Sequence, residues 1–352
     1  MDDYKDQGHM SSVVEENDHG EPVGYFLPHQ AVIRPESETT KLRVVFDASA
    51  KTTYGTTLND KLLAGPNLQR ALNDIILRFR MHEYVLTADV AMMFRQILVD
   101  KKDRIYQRIL WRRSPEEQVQ TFELNTVTYG TACAPYLALK CLMQLAEEEG
   151  MDLPLAARSL REDCYMDDVL SGCDSLTTAI ELQRQLSDLL KRGQFHLRKW
   201  RTNEPRVLQH LEEGCKTERM LVLNKEEALK TLGLYWNATL DCLQYHVKQD
   251  TTVETKRGIL SRLAQVFDPL GLIAPLLVRG KLIMRRLWEL DLGWDQVIPE
   301  ELKTAWETYC ADLREINELQ VPRRVVYGNN SRFDIFGFGD ASERAFGACL
   351  YA

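Results

Sequence analysis

The spacing of apolar residues divides the chain into short strands and amphipathic helices. Alternating apolar and polar residues are typical of half-buried strands, and apolar residues three and four positions apart are typical of helices. In the first half of the chain these patterns favour an α+β fold, in which helices back an antiparallel sheet. The predicted helices there cover residues 66–79, 134–149 and 175–191, and the main predicted strands cover residues 41–47, 83–90, 105–111, 118–124 and 195–200.

The second half of the chain is predicted to be mainly helical. Its expected elements are a hairpin over residues 230–247, helices over residues 254–266, 272–289 and 302–313, and a strand over residues 333–338 that ends near Asp340. Residues 1–24 are polar and carry few apolar anchors, so we expect a linker or lead-in there.

Two adjacent acids interrupt an apolar stretch in the sequence Tyr165-Met166-Asp167-Asp168. An apolar strand, a polar two-residue turn and a second apolar strand predict a tight hairpin with both carboxylates at its exposed tip. Two carboxylates this close repel each other unless a cation lies between them, and Mg²⁺ prefers oxygen ligands. Asp89 ends another apolar strand and is costly to bury without a partner. These acids favour a metal-dependent phosphoryl-transfer site, and a solvated surface turn is the plain alternative.

Four further residues are candidates for ligand contact. Arg43 and Asp47 are four residues apart on a predicted strand, so they share a face; Arg43 is then oriented towards a phosphate or forms an exposed salt bridge. Phe94 follows Asp89 by five residues and either lines the same site or packs in the core. Gly130 precedes a predicted helix and either allows a ligand to approach the backbone or is a simple loop glycine.

Composition and charge narrow the class of protein. The chain has 352 residues, of which 44% are hydrophobic and 27% charged, as expected for a globular protein of two or three domains. No apolar run approaches the ~20 residues that span a bilayer. The eight cysteines include no Cys-x-x-Cys pair, so we expect reduced, mostly buried thiols.

The net charge of −8 argues mildly against a nucleic-acid partner. However, basic clusters at residues 101–113, 191–206 and 279–286 are typical either of a groove that follows a phosphate backbone or of solvated faces.

Taken in order, these motifs resemble the reverse transcriptases of LTR retrotransposons and retroviruses. The resemblance implies that Asp89, Asp167 and Asp168 are the catalytic palm acids and metal ligands, with Val90 as a further ligand through its carbonyl oxygen. It assigns nucleotide binding to Arg43, Asp47, Phe94, Tyr129, Gly130 and Lys199, and a primer grip to Leu232, Gly233, Leu234, Tyr235 and Trp236. Tyr129 stands where retroviral enzymes have Gln.

Residues 265–275, with the sequence QVFDPLGLIAP, resemble a signature of the BEL/Pao group of LTR retrotransposons. The resemblance implies a right-hand polymerase fold. Fingers and palm would occupy residues 25–212, a primer-grip hairpin and thumb-like helical region residues 213–295, a helical connection residues 296–332, and the truncated start of a ribonuclease H-like domain residues 333–352. Asp340 resembles the first metal-binding acid of ribonuclease H, whose remaining acids are not in the chain, so no ribonuclease H activity is expected. The sequence also has no Asp-Thr/Ser-Gly triplet of an aspartic protease and no integrase segment, so neither of these activities is expected.

The function implied by the resemblance is RNA-directed DNA polymerisation with two Mg²⁺ ions, or Mn²⁺ in their place. The expected partners are an RNA or DNA template with its primer, dNTPs and the rest of a pol polyprotein, with no membrane partner. The expected location is the cytoplasm or a virus-like particle. Phe94 would clash with a ribose 2′-hydroxyl, which argues against an RNA-templated RNA polymerase. The main alternative is a catalytically decayed element fragment that keeps only a nucleic-acid-binding fold.

Overall fold

The computed structural model of the protein describes residues 1–13, 24–33, 42–211, 221–222, 234–247, 253–328 and 333–352. These residues form a mixed α/β structure with antiparallel sheets, as the hydrophobic pattern predicts. The chain divides into two compact units. The first unit contains residues 1–70, 88–169 and 181–198, and the second contains residues 71–87, 170–180 and 199–352.

Most helices lie where the apolar spacing predicts them. The α-helices are α1 (Asp2–Asp6), α2 (Leu72–Met81), α3 (Ala134–Glu148), α4 (Pro154–Glu162), α5 (Leu176–Arg192), α6 (Lys256–Ala264), α7 (Ala274–Glu289) and α8 (Glu300–Glu315). Short 3₁₀ helices cover Met93–Gln96, Lys101–Gln107, Pro205–Leu208 and Ile316–Glu318. The pattern does not predict α4, because its buried face carries mostly small side chains. In the described part of the chain, no helix is long and apolar enough to cross a bilayer.

The strands form several antiparallel sheets. They are β1 (Met10–Ser12), β2 (His29–Ile33), β3 (Leu42–Phe46), β4 (Tyr84–Val90), β5 (Arg108–Trp111), β6 (Gln120–Leu124), β7 (Cys164–Tyr165), β8 (Asp168–Cys173), β9 (Leu197–Thr202), β10 (Leu221–Val222), β11 (Leu234–Asn237), β12 (Cys242–Tyr245), β13 (Gln320–Pro322), β14 (Phe336–Ala341) and β15 (Phe346–Tyr351). The strand orders are β1-β6-β5, β2-β3, β7-β8-β4-β9, β10-β11-β12-β13 and β14-β15. Strands β4, β8 and β9 contribute residues to both units.

The first thirteen residues pack into the first unit, which corrects the expectation of a polar lead-in there. Strand β1 pairs antiparallel with β6, with Met10 opposite Leu124. Tyr4 and Met10 are buried in a core cluster with Phe46 and Phe122. The sequence does not predict this packing, because Tyr4 and Met10 are isolated apolar residues among acidic and polar ones and follow no helix or strand periodicity. The rest of the expected lead-in, residues 14–23, lies outside the described residues.

Helix α2 begins at Leu72, six residues after Pro66, where the sequence predicts its start. The Asn67 side chain accepts a hydrogen bond from the Gln69 backbone N–H at 2.9 Å, and the Gln69 side chain bonds to the segment around β7. Such side-chain bonds offer the backbone an alternative to the helix. Residues 66–71 therefore form a connecting segment outside the helix.

A buried arginine organises the second unit. The Arg323 side chain is 0% exposed and donates to both carboxylate oxygens of Asp241, at 2.6 and 2.8 Å. It also donates to the carbonyl oxygens of Phe79, His82 and Glu83. Asp241 accepts a further bond from the indole of Trp236 at 3.0 Å. This network joins α2 to the β11–β12 hairpin, and it compensates a charge that is otherwise very costly to bury.

The signature-like segment 265–275 forms a turn ahead of α7 that the Asp268 side chain holds together. The Asp268 carboxylate accepts the backbone N–H groups of Leu272 and Ile273 at 3.0 and 2.9 Å, which satisfies donors ahead of α7. The Tyr245 hydroxyl donates to the same carboxylate at 2.7 Å. Burial and this bond raise the pKa of the Tyr245 phenol. Gly271 has φ +70°, a backbone conformation that favours glycine.

We expect Asp241→Ala to destabilise the protein by about 3 kcal/mol or more, because it leaves the buried Arg323 charge uncompensated. The matched control is Asp295→Ala, which breaks the exposed pair that Asp295 forms with Arg257 and should change the stability far less. Equilibrium unfolding in urea measures both changes. Equal losses of stability in the two variants would show that the Arg323 network is not a structural anchor.

Candidate functional site

A backbone hydrogen bond brings the predicted acids together in the first unit. The Val90 N–H, at the end of β4, donates to the carbonyl oxygen of Asp167 at 2.7 Å. The next residue, Ala91, donates its N–H to the carbonyl of His196 at 2.8 Å. Asp89 therefore ends its strand beside the β7–β8 hairpin, which carries Asp167 and Asp168. The segments that carry these acids therefore meet in one corner of the fold, and the role of the acids as metal ligands stays a prediction.

The hairpin differs from the predicted one in its register. Cys164 pairs with Val169 and Tyr165 pairs with Asp168, so the two turn residues are Met166 and Asp167. Only Asp167 lies at the tip, where it is half-buried; Asp168 begins β8 and is 9% exposed. The expectation of two carboxylates at an exposed tip is wrong, because the strand pair closes one residue earlier than the polar residues suggest.

Gln69 holds this turn from a distant part of the chain. Its side-chain amide donates to the Cys164 carbonyl at 2.9 Å and accepts the Met166 N–H at 2.8 Å. Met166 has φ +53°, a left-handed conformation that costs a non-glycine residue about 1 kcal/mol or more. Gln69 therefore stabilises a strained turn that presents Asp167. The local sequence does not predict this role for Gln69, because its partners Cys164 and Met166 are distant in the chain.

The corner contains acids that are largely buried. Asp89 is 4% exposed and Cys164 is also buried. Burial raises the pKa of the Cys164 thiol, and the carboxylates of Asp163 and Asp168 raise it further. A site of this kind favours a cation, since a positive charge offsets the cost of burying the carboxylates.

In this structure the cation next to Asp89 is an arginine. Arg198 donates from Nε to the Asp89 carboxylate at 2.8 Å. The oxygen donors of Asp89, Asp167, Asp168 and the Val90 carbonyl suit Mg²⁺ in their chemistry. Within the described residues, however, no group of three or more His, Cys, Asp or Glu side chains is arranged to hold a metal ion. Arg198 therefore binds one of the carboxylate oxygens that the prediction assigns to a metal ion.

Three residues with a left-handed backbone conformation are predicted site residues or lie within two positions of one. Met92, Met166 and Lys199 all have φ between +50° and +55°. Met92 lies two positions after Val90, Met166 directly precedes Asp167, and Lys199 is itself a predicted site residue. Left-handed conformations of non-glycine residues tend to concentrate at functional sites, where the surrounding structure enforces them.

A second group of predicted residues surrounds the end of β3. The Arg43 guanidinium lies over the ring of Tyr129, 5.1 Å from its centroid. The Tyr129 hydroxyl donates to the Val44 carbonyl. Asp47 does not extend the strand; its carboxylate accepts the Ser49 N–H at 2.9 Å in a turn. Arg43 is therefore oriented by an aromatic face, a contact that its spacing from Asp47 does not predict.

Gly130 lies close to another backbone segment of the protein, and its expected approach to a ligand stays a prediction. Its φ is +95°, and a Cβ at this position would lie 2.5 Å from the Phe46 carbonyl oxygen. Asn59 fixes the same loop: its amide donates to the Gly130 carbonyl at 3.0 Å and accepts the Ala132 N–H at 2.7 Å. Asn59 is a positioning residue that sequence reasoning misses, because its partners are distant in the chain.

The other predicted residues occupy separate places. Phe94 lies half-buried in the Met93–Gln96 3₁₀ helix, which packs against α3. Of the expected primer grip, Leu234 and Trp236 are buried and Tyr235 is half-buried in β11, within the second unit. Leu232 and Gly233 lie outside the described residues. Asp340 lies opposite Gly347 in the exposed β14–β15 hairpin.

Comparisons with known proteins support part of the expected relationship. Residues 255–352 match a family model described as the Pao retrotransposon-like RNaseH-like domain. The match begins well before residue 333, where the sequence resemblance places the first strand of that domain. A search of curated proteins finds no match. The expected relation to Pao retrotransposons is thus confirmed over residues 255–352, and the reverse-transcriptase assignment stays a prediction.

A solved structure resembles the whole chain in fold. It is a foamy viral protease-reverse transcriptase in complex with double-stranded DNA, with a TM-score of 0.62 and 13% sequence identity. The similarity covers 99% of this chain and 52% of the solved one, so the protein spans about half the length of that chain. At this level of identity the likeness shows a shared fold.

We expect Gly130→Ala to destabilise the first unit by about 3 kcal/mol or more, because it adds backbone strain and a clash with the Phe46 carbonyl. Gly55→Ala is the matched control: Gly55 has φ +77° but no atom within 4 Å of the added Cβ, so only strain of about 1 kcal/mol applies. Thermal and urea unfolding compare the two. A loss no larger in the Gly130 variant would contradict the close approach.

Proposed function

We propose that the protein is an RNA-directed DNA polymerase that adds deoxynucleotides to a primer by metal-dependent phosphoryl transfer. The observation that carries this proposal is the Val90–Asp167 backbone bond, which joins two acidic motifs that are distant in sequence. A buried acid beside a hairpin with two further acids is the arrangement expected of a polymerase palm. The fold shared with a viral reverse transcriptase supports the proposal, as does the Pao retrotransposon match over residues 255–352.

In this proposal, residues of the first unit bind and orient the substrates. Asp89, Asp167, Asp168 and the Val90 carbonyl would hold Mg²⁺, which when bound activates the primer 3′-hydroxyl and neutralises the triphosphate. Arg43, held over the Tyr129 ring, would contact the triphosphate as a charged donor. Phe94 would exclude nucleotides that carry a 2′-hydroxyl. Positioning and electrostatics would account for most of the rate enhancement, as in other phosphoryl-transfer enzymes.

The proposed macromolecular partner is a template annealed to its primer. The foamy viral structure contains double-stranded DNA. A nucleic acid would also suit the basic clusters of this chain, which could contact its phosphates. Contacts would run to phosphates and sugars, because base pairing with the template selects the incoming nucleotide. A decayed fragment would keep this binding and lose nucleotide addition.

We expect Asp167→Asn to reduce primer extension by about a thousandfold or more while template-primer binding persists, because the amide weakens metal binding and leaves the backbone turn intact. The assay is extension of oligo(dT) on poly(rA) with Mg²⁺. The control is Asp103→Asn, an exposed acid outside the site, which should extend like the wild type. Extension by the Asp167 variant at the control's rate would remove this acid from the site. A wild type that binds but does not extend would favour the decayed fragment.

We expect Arg198→Gln to bind Mn²⁺ about tenfold more tightly than the wild type, because the competing ion pair with Asp89 is lost. The metal-free variant should also be less stable, since the buried carboxylate loses its counter-charge. Titration followed by electron paramagnetic resonance measures free Mn²⁺ directly. Arg158→Gln, which breaks the exposed pair between Arg158 and Glu162, is the control and should leave affinity unchanged. Unaltered or weaker Mn²⁺ binding in the Arg198 variant would mean that the arginine does not compete with metal.

A further inference from the structure

The N-terminal helix reaches the residues proposed to bind the nucleotide. Tyr4, in α1, is 8% exposed, and its hydroxyl lies 2.7 Å from the hydroxyl of Tyr129. The single phenolic proton of Tyr129 is directed to the Val44 carbonyl. Tyr4 must therefore donate its own proton to the Tyr129 oxygen. The result is a directed chain of hydrogen bonds from α1 through Tyr129 to β3, the strand that carries Arg43.

Two arginines stack on this pair of tyrosines. Arg43 lies over the Tyr129 ring at 5.1 Å, and Arg95 lies over the Tyr4 ring at 4.7 Å. Cation–π contacts of this kind orient a guanidinium on the face of an aromatic ring. Arg95 directly follows Phe94, the proposed 2′-hydroxyl gate. The Tyr4–Tyr129 pair thus connects the backbone segments of two proposed nucleotide contacts.

The N-terminal segment is fixed to the same part of the fold by further bonds. Asn125 donates its side-chain amide to the Gly8 carbonyl at 2.8 Å and its backbone N–H to the His9 carbonyl at 2.8 Å. β1 then pairs with β6, whose chain continues to Tyr129. Tyr4 also packs edge-to-face on Phe46, 6.0 Å between ring centroids. Residues 1–13 are therefore held rigidly enough to place the Tyr4 hydroxyl.

The local electrostatics keep this hydroxyl in its donating form. Burial raises the pKa of the Tyr4 phenol, and the contact with Tyr129 raises it further, whereas Arg95 and Arg43 lower it to a smaller extent. The donor is therefore present throughout the neutral range. A phenylalanine would keep the ring beneath Arg95 and remove only the bond to Tyr129.

We infer that residues 1–13 are part of the nucleotide-binding site, and that Tyr4 is a positioning residue that holds Tyr129, and through it Arg43, in place for a triphosphate. This inference rests on the proposed polymerase function. It assigns to the N-terminal segment a role in the affinity for dNTP, with little direct effect on the chemical step. A segment that served only the core would affect stability alone.

The test is steady-state primer extension with Tyr4→Phe and Tyr4→Ala, at saturating template-primer and varied dNTP. We expect Tyr4→Phe to raise the KM for dNTP by about three- to tenfold, the usual effect of losing one hydrogen bond, with kcat changed less than about twofold. Tyr4→Ala, which also removes the surface beneath Arg95, should raise KM further. Tyr54→Phe removes the hydroxyl of a tyrosine that is 91% exposed and should match the wild type in KM and in kcat.

Each outcome separates this inference from the function on which it rests. A wild type without extension activity would refute the polymerase proposal itself. An active wild type, with a Tyr4→Phe variant whose KM for dNTP equals that of Tyr54→Phe, would refute the positioning role. Thermal unfolding of the same variants identifies a purely structural effect: a lower melting temperature in Tyr4→Ala with unchanged KM in both variants would also overturn the inference.

Discussion

The candidate site depends on one main-chain hydrogen bond, from the Val90 N–H to the Asp167 carbonyl. Strand β4 is buried along almost its whole length, so its last residues are fixed by packing on both faces. The bond connects the end of β4 to a two-residue turn in which Met166 has a strained, left-handed backbone conformation. Gln69 supports the same turn from the other side. Backbone groups and a side-chain amide thus position the hairpin that carries the acids.

The sequence predicts those parts of the site that show a regular spacing of apolar residues or a recognisable motif. Apolar runs that end in acids indicate both β4 and the β7–β8 hairpin, and turn chemistry indicates that a tight turn joins the hairpin's strands. The register of that turn is not predictable, because it depends on which apolar pair, here Cys164 and Val169, closes the ladder. Side-chain bonds to distant backbone groups also leave no trace in local spacing. Gln69, Asn59 and the anchor Tyr4 belong to this class.

The Arg323–Asp241 and Arg198–Asp89 contacts are both acid–arginine pairs, but they differ in how exposed the arginine is. Arg323 is 0% exposed, grips both oxygens of Asp241 and donates to three carbonyls besides, so its release would leave many groups without partners. Arg198 has a side chain that is 39% exposed, so water can solvate its guanidinium once it leaves Asp89. The Arg323 contacts are therefore expected to persist as long as the second unit is folded. The guanidinium of Arg198 is partly open to solvent and is held less completely.

The β14–β15 hairpin has a practical consequence for the behaviour of the protein in solution. Both of its strands are exposed along their length, with Phe346 88% and Leu350 76% accessible. A two-stranded ribbon of this kind offers open hydrogen-bonding edges together with apolar side chains. Such surfaces promote strand addition between molecules. Concentrated preparations of this chain should therefore be prone to self-association through residues 336–351, and charged substitutions on that ribbon are a direct route to better solubility.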